Sequence, residues 1–276
     1  MGAWIASACQ AEATVLGIGK RSQRDEKLQT SLKQVEEMLR EQNVTAEFIT
    51  RIGQPVAEIV KRTRETNYDM VVIGAERKRG GGLYAMSLLA HRIIEAIDPS
   101  VLVVIGEAKS LRKNLICSGG IRAEQAARFT GEIASRVKAS ITLLHVMNSP
   151  PAMYADLIRT EENNVESLLA SDTALGRNLS RQKQQIEELG VPCEVRIREG
   201  LVAEEIAKEA CREDYDLIVT GSFPARDRLR RYVMGNITQE ILDQADSPVL
   251  VVRTLAGGQG IGHRLVEWVS RIWARS

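Results

Sequence analysis

Residues 221–236, with the sequence GSFPARDRLRRYVMGN, combine glycines and arginines in a pattern that can hold a phosphate group. Gly221 follows an apolar run typical of a buried strand, and Gly235 opens a helical pattern. Backbone amides at a helix N-terminus favour an anion, and guanidinium groups such as that of Arg226 add positive charge nearby. The pattern fits a phosphate-binding loop, and it also fits a solvated connection between a strand and a helix, which we favour.

The other reactive side chains do not form a catalytic or metal-binding constellation. None of the three histidines has a cysteine, a second histidine or a carboxylate at a metal-ligand spacing. The four cysteines are widely separated in apolar surroundings, which predicts buried and reduced thiols at Cys9, Cys117, Cys193 and Cys211. We therefore predict no catalytic residue, no bound metal and no enzyme activity, apart from slow hydrolysis of a nucleotide if one is bound.

Charge and hydropathy exclude several classes of partner. The 276 residues carry a net charge of +1, so nothing global favours nucleic acid, and the basic run at residues 77–79 has no aromatic residues interleaved with it. No uninterrupted apolar run approaches the roughly 18–20 residues that a membrane span needs. The N-terminal segment lacks the basic start and apolar core of a signal peptide. We predict a cytoplasmic protein without a nucleic-acid partner.

An internal repeat determines the elements that would position these residues. The segment GQPVAEIVKRTRETNYDMVVIG from Gly53 matches GLVAEEIAKEACREDYDLIVTG from Gly200 at a constant offset. Each copy predicts an amphipathic helix, an acidic turn and a short apolar strand. Upstream of Gly200 the second copy adds further strands and helices in alternation. This order predicts α/β architecture with two tandem doubly wound, Rossmann-like parallel sheets.

The first repeat is incomplete at its beginning. The segment AEATVLGI from Ala11 matches ASITLLHV from Ala139, and the same offset places Met1 on Phe129, in the middle of the first helix of the complete copy. The first repeat therefore lacks its first strand and half of its first helix. Three explanations remain open: the neighbouring strands close up, a partner covers the gap, or the sequence begins downstream of its natural start, which we favour.

The complete copy resembles the universal stress protein family. The resemblance rests on LICSGG from Leu115, SITLLHVM from Ser140, DYDLIVTGS from Asp214 and SPVLVVR from Ser247. It implies five parallel strands in the order 3-2-1-4-5, dimerisation through the last strand and, in many members, ATP bound by a G-x2-G-x9-G-[ST] motif. An aspartate just after the first strand completes the family's nucleotide site.

Carried over to this sequence, the ATP motif is only partly retained. Gly221 and Gly235 match its first and third glycines, but the second falls on Pro224 and Asn236 replaces the serine or threonine. The aspartate position falls on Ser118 or Gly119. We predict a degenerate ATP site in the second repeat, with no cofactor assigned beyond ATP as a candidate. Its predicted contacts are Gly119, Gly221, Ser222, Arg226, Gly235 and Asn236.

These observations predict three segments: a truncated domain over residues 1–108, a complete domain over 113–254, and a glycine linker with an amphipathic helix over 257–276. The helix is a weak candidate for membrane binding, and we favour its docking on its own chain. The predicted function is a cytoplasmic stress-response or regulatory module without a full ATP site, acting as a homodimer or with a protein partner. The alternatives are a regulatory domain pair derived from a membrane transporter, and an ATP-binding stress protein with weak ATPase activity.

Overall fold

The computed structural model describes residues 1–19, 26–75, 88–106, 110–119, 123–147, 165–222, 237–253 and 264–268. The first part of the chain contains α1 (Gly2–Cys9), β1 (Glu12–Gly19), α2 (Glu26–Glu41), β2 (Ala46–Ile52), α3 (Pro55–Glu65), β3 (Met70–Ala75), α4 (Leu88–Ala96) and β4 (Ser100–Ile105). The second part contains β5 (Lys113–Cys117), α5 (Ala123–Val137), β6 (Ser140–Met147), α6 (Val165–Ala170), α7 (Ala174–Glu187), β7 (Cys193–Glu199), α8 (Val202–Glu213) and β8 (Leu217–Gly221). It continues with α9 (237–244), β9 (Val249–Val252) and β10 (Arg264–Trp268).

All ten strands form one sheet in the order β2-β1-β10-β3-β4-β9-β8-β5-β6-β7. The second half, β7-β6-β5-β8-β9, has the order 3-2-1-4-5 in its own numbering, and its strands pair in parallel. Helices cover both faces of this sheet, as the apolar character of its strands predicts. The predicted fold class is confirmed.

The position of the missing first strand is occupied by β10, from the C-terminal part of the chain. It runs parallel to both neighbours, with Glu12 opposite Arg264 on one side and Met70 opposite Leu265 on the other. The first half, β2-β1-β10-β3-β4, therefore has the same strand order as the second. The C-terminal segment docks on its own chain, and the strands flanking the gap do not close up.

The prediction of a helix over residues 257–276 is wrong for the part that the structure describes, since residues 264–268 form a strand. The physical reason is tertiary. Without β10, the facing edges of β1 and β3 would leave rows of buried peptide groups unpaired, and only a strand can satisfy both edges at once. This gain outweighs the local helical spacing of the apolar residues. The remainder of the predicted helix lies outside the described residues.

The two halves join through their fifth strands. β4 and β9 pair antiparallel, with Val101 opposite Val251, so each half contributes five strands to one continuous sheet. Arg253, directly after β9, crosses the junction: its backbone amide donates to Ser100 Oγ at 3.0 Å. Its buried guanidinium Nη1 donates to the carbonyl oxygens of Ile94 and Ile97, the latter at 2.7 Å, at the C-terminal end of α4.

Two apolar layers, one on each face of the sheet, hold the halves together. Successive residues of a strand point to opposite faces, so Leu115 belongs to one layer and its neighbour Ile116 to the other. Each layer contains strand residues from both halves, for example Val71 and Ile218 in the first layer. The core therefore extends across the β4–β9 junction without interruption.

Gly176, in the first turn of α7, offers a sharp test of helix packing. Its amide donates to the hydroxyl of Thr173, the N-cap residue, at 3.0 Å. A Cβ at this position would overlap the carbonyl oxygen of Leu168 and lie 2.5 Å from Ser171 Oγ. Gly176→Ala is expected to lower the free energy of unfolding by about 2 kcal/mol because of this overpacking, which exceeds the intrinsic gain of about 1 kcal/mol from alanine in a helix.

The matched control is Gly131→Ala in α5. Its Cβ would approach Leu189 Cδ1 at 2.9 Å, the mobile end of a side chain that can turn aside. Chemical denaturation followed by circular dichroism should show a smaller loss than for Gly176→Ala. Equal losses in the two variants would contradict the clash with the Leu168 carbonyl as the cause.

Candidate functional site

The candidate site is the crevice at the carboxyl ends of β5 and β8, which we call the switch-point crevice. Crossover connections leave these two neighbouring strands in opposite directions, and ligands of doubly wound proteins bind at such a point. The pairing of Ile116 with Val219 continues along the strands to place Ser118 level with Gly221, and Gly119 level with Ser222. The structure thus brings together three of the predicted contacts, Gly119, Gly221 and Ser222.

Ser118, at the position that the resemblance assigns to an aspartate, is buried and fully engaged. Its hydroxyl donates to Gln182 Oε1 at 3.2 Å, and its amide donates to the carbonyl oxygen of Leu144 at 2.7 Å. Gln182 comes from α7 and is itself completely buried, with its amide nitrogen donating to Asn178. A buried polar network with every member paired is rigid, so this part of the crevice is preorganised without a ligand.

His145, near the end of β6, occupies the backbone acceptor of the same residue. Its Nδ1 lies 2.6 Å from the carbonyl oxygen of Ser118. A carbonyl can only accept, so Nδ1 carries the proton, and in the neutral ring Nε2 is left as an acceptor. The side chain and the backbone carbonyl of Ser118 are therefore both taken by protein groups.

The rest of the described crevice is more open. The amide of Ser222 donates to the carbonyl oxygen of Val252 at 3.0 Å, which extends the β8–β9 ladder beyond Gly221. A Cβ added at Gly119 would meet nothing within 4 Å, so there is free space above this residue. The crevice can accept a ligand above Gly119, although its buried floor offers no acidic group.

The remaining predicted contacts, Arg226, Gly235 and Asn236, lie in the segment 223–236, outside the described residues. Sequence reasoning missed the Ser118–Gln182–His145 arrangement. Gln182 has no local signal, because a single glutamine within a polar helical stretch is typical of an exposed position. Only the packing of α7 against the end of β5 shows that it is buried.

In the first half, the equivalent crevice lies at the carboxyl ends of β10 and β3. The sequence had predicted that the strand before this crevice was absent, and β10 corrects that prediction. Gly74, near the end of β3, also has no atom within 4 Å of an added Cβ. The residue that follows β10 in the sequence is Val269, not an aspartate.

A second cluster of charged residues lies away from the crevice, between β7 and α8. The carboxylate of Glu209 is 0% exposed and accepts from Arg196 Nη1 at 2.6 Å and from Arg198 Nη2 at 2.7 Å. Burial raises the pKa of Glu209, but the hydrogen bonds from Arg198 and Arg196 outweigh it and hold the pKa below its ordinary value. A carboxylate kept ionised by two guanidinium groups is a structural ion pair and not a general acid.

The cysteines and other potential ligands give no metal centre. Among the described residues, no group of three or more His, Cys, Asp and Glu side chains could hold a metal ion. Burial raises the pKa of Cys117 to about 12 and is the largest cause of the same value for Cys193. The prediction that all four thiols are buried is wrong for Cys211, which is exposed on α8, while Cys193 is only partly buried.

The fold and the crevice together define a doubly wound α/β protein of the Rossmann-like class. The model of the Universal stress protein family matches residues 7–104 and 114–253. The chain therefore belongs to the universal stress protein family, with two tandem copies of its domain.

Individual relatives match about half of the chain. A universal stress protein of Methanocaldococcus jannaschii is 26% identical over 152 residues, which cover 54% of this chain and 87% of that protein. Stress response protein NhaX of Bacillus subtilis is 28% identical over 142 residues, which cover 44% of this chain and 85% of that protein. The crystal structure of a universal stress protein from Archaeoglobus fulgidus is similar over 91% of this chain and 92% of its own, with a TM-score of 0.69 at 15% identity.

Proposed function

We propose that this chain is a cytoplasmic stress-response module that acts by binding a protein partner and does not hold ATP in its switch-point crevice. The family membership and the similarity to a Bacillus subtilis protein named as a stress response protein support the first part. No helix in the part of the chain that the structure describes is long and apolar enough to cross a membrane.

The observation that carries the second part is the state of Ser118. In the family's nucleotide site an acidic acceptor stands after the first strand, and here that position bears a hydroxyl already donated to the buried Gln182. A ligand would have to break this hydrogen bond, and a buried amide left unpaired costs about 1–3 kcal/mol. The crevice therefore favours its own internal network over an adenosine hydroxyl group.

The fifth strands support a role through contacts and not through catalysis. β4 and β9 are the surface through which the family resemblance implies dimerisation, and in this chain they pair with each other. A partner, whether a second copy or another protein, must therefore bind elsewhere on the molecule. Charged side chains at the described crevice are lacking, which leaves no group there to act as acid or base.

Calorimetric titration with magnesium ATP is the direct test. We expect no heat of binding for the unaltered chain at dissociation constants up to about 1 mM, equivalent to about 4 kcal/mol of binding free energy. The Ser118→Asp/Pro224→Gly double variant restores the two family positions at which this sequence differs, and it should bind at least about tenfold more tightly, or about 1.4 kcal/mol.

Binding of one ATP per chain by the unaltered protein would overturn the proposal. It would favour an ATP-binding stress protein with weak ATPase activity, which release of inorganic phosphate would then measure. Ser118→Ala is the matched control, since it removes the hydrogen bond to Gln182 without adding a carboxylate. A gain in this variant equal to that of the double variant would show that the carboxylate is not needed.

A further inference from the structure

The space between β1 and β3, which we call the strand slot, is one strand wide and is filled from a distant part of the sequence. β10 pairs with β1 through residues 12–15 and with β3 through residues 70–73. In the second half the same place belongs to β5, which pairs with β6 and β8. The slot thus has the polarity and register of a site for one parallel strand.

The walls of the slot belong to the protein core. Val15 and Val71 are completely buried, and Ala13, Met70 and Val72 are nearly so. An ordinary exposed sheet edge can satisfy its peptide groups with water, but these edges lie between covered faces. An empty slot would leave their ladder groups unpaired, so it favours any strand that can enter it.

The connection to β10 does not tie it tightly to its own chain. β9 runs antiparallel to β4 and ends beside Ser100, at the same edge of the sheet where β10 begins. Crossing from β9 to β10 spans three strand spacings, about 14 Å. Residues 254–263 join the two strands, and a chain of this length reaches on the order of 35 Å. The tether is therefore more than twice as long as closure within one chain requires.

β5, the counterpart of β10, is anchored much more strongly. The carboxylate of Asp216 accepts from the amides of Arg112 at 2.8 Å and Lys113 at 3.0 Å, and Lys113 Nζ contacts Glu213 Oε2 at 2.6 Å. β5 also leads directly into α5, whereas almost the whole chain separates β10 from α1. β10 thus lacks the covalent continuity that holds β5 in place.

The sequence of β10 also differs from that of β5 at a central position. Glu267 stands in register between Val15 and Val72, both buried, where β5 has the completely buried Ile116. A charged residue type at such a register position weakens a central strand relative to an isoleucine. The slot is therefore strongly disposed to hold a strand, while its resident strand is weakly retained.

We propose that the strand slot is an interaction site for a second copy of this chain, in which the β10 of one copy is exchangeable for the β10 of another. Reciprocal exchange keeps both slots filled and every ladder hydrogen bond paired, so two copies lose only the advantage of the tether. That advantage is an effective concentration in the millimolar range for short linkers, so exchange grows with protein concentration. The partner surface is distinct from the fifth strands, which are already paired within each chain.

Disulfide trapping in the full chain tests the exchange. Val71 and Val266 are register partners on neighbouring strands about 4.8 Å apart, a separation that a disulfide can bridge. A chain with Val71→Cys is mixed with a chain with Val266→Cys, both carrying Cys211→Ser to remove the exposed thiol. Under mild oxidation we expect an interchain disulfide adduct of two chains, and at least a twofold larger adduct fraction when the protein concentration is raised tenfold.

The control replaces Val71→Cys with Ile218→Cys, the matching position in the second half, where β5 already fills the space. This mixture should give no adduct. A single chain with both Val71→Cys and Val266→Cys should form an intrachain disulfide and verifies that β10 enters the slot. An intrachain disulfide without any interchain adduct would overturn the proposal by showing that β10 is fixed in its own chain. Absence of both disulfides in folded protein would overturn it as well.

Discussion

Replacing Glu209 with alanine is expected to lower the free energy of unfolding by about 3 kcal/mol, because it leaves two guanidinium groups without their shared buried carboxylate. Arg196 and Arg198 each keep some contact with water, at 22% and 35% side-chain exposure, so the loss should lie at the lower end of the range for broken buried ion pairs. Urea denaturation followed by tryptophan fluorescence and circular dichroism measures the change. A loss below about 1 kcal/mol would mean that the pair is no stronger than an exposed one.

The contribution of Glu209 should also depend on pH. The pKa of its carboxyl group is lower in the folded state than in the unfolded chain. The stabilisation is therefore fully present above the ordinary carboxyl pKa of about 4.3, and it is lost as the pH falls through the lower, folded-state pKa. The difference in unfolding free energy between the unaltered chain and Glu209→Gln should shrink over that acid range. A difference that stays constant down to the acid transition would contradict the pKa assignment.

Arg253→Ala is expected to lower the free energy of unfolding by about 2–3 kcal/mol and to weaken the coupling between the two halves. The variant removes charged hydrogen bonds of about 1.5–3 kcal/mol to the carbonyl oxygens that end α4, on the far side of the β4–β9 junction. The guanidinium also complements the negative end of the helix dipole, which alanine cannot do. Hydrogen exchange should show faster exchange in β4 and β9 than in β6, which lies far from the junction.

Arg253→Lys separates charge from geometry in this test. Lysine keeps the positive charge near the end of α4 but cannot direct two parallel N–H groups at the carbonyls of Ile94 and Ile97. We expect an intermediate loss of stability for the lysine variant. Equal stability of the lysine variant and the unaltered chain would assign the effect to charge alone.

The repeat made the architecture predictable, because it depends on pairs of residues in fixed register. Gly53 and Gly200, or Tyr68 and Tyr215, mark the same positions in two copies, and a strand order of 3-2-1-4-5 followed from the resemblance. The tail was not predictable in this way. Residues 264–268 form a strand because of β1 and β3, and those partners lie about 200 residues or more away in the sequence. A local pattern of apolar residues contains no information about a vacancy elsewhere in the fold.

The candidate site was predictable in its place but not in its chemistry. Gly119 and Gly221 end predicted neighbouring strands, so their approach at one edge of the sheet followed from the topology. The engagement of Ser118 by Gln182 depends on how α7 packs over the end of β5, and helix packing is not encoded in residue spacing within a single element. The same holds for Glu209, whose burial depends on arginines from the edge strand β7.

The antiparallel junction of β4 and β9 has a consequence for how this protein can change over generations. In a symmetric dimer of identical chains, each substitution appears twice, once on either side of the axis, and both copies must tolerate it. Fusion of the two units into one polypeptide removes that restraint. Arg253, which bridges the junction, has Ile105 at the matching position of the first half, and Glu209 has Arg62. Each half is thus under its own selection, and one can specialise while the other keeps the scaffold intact.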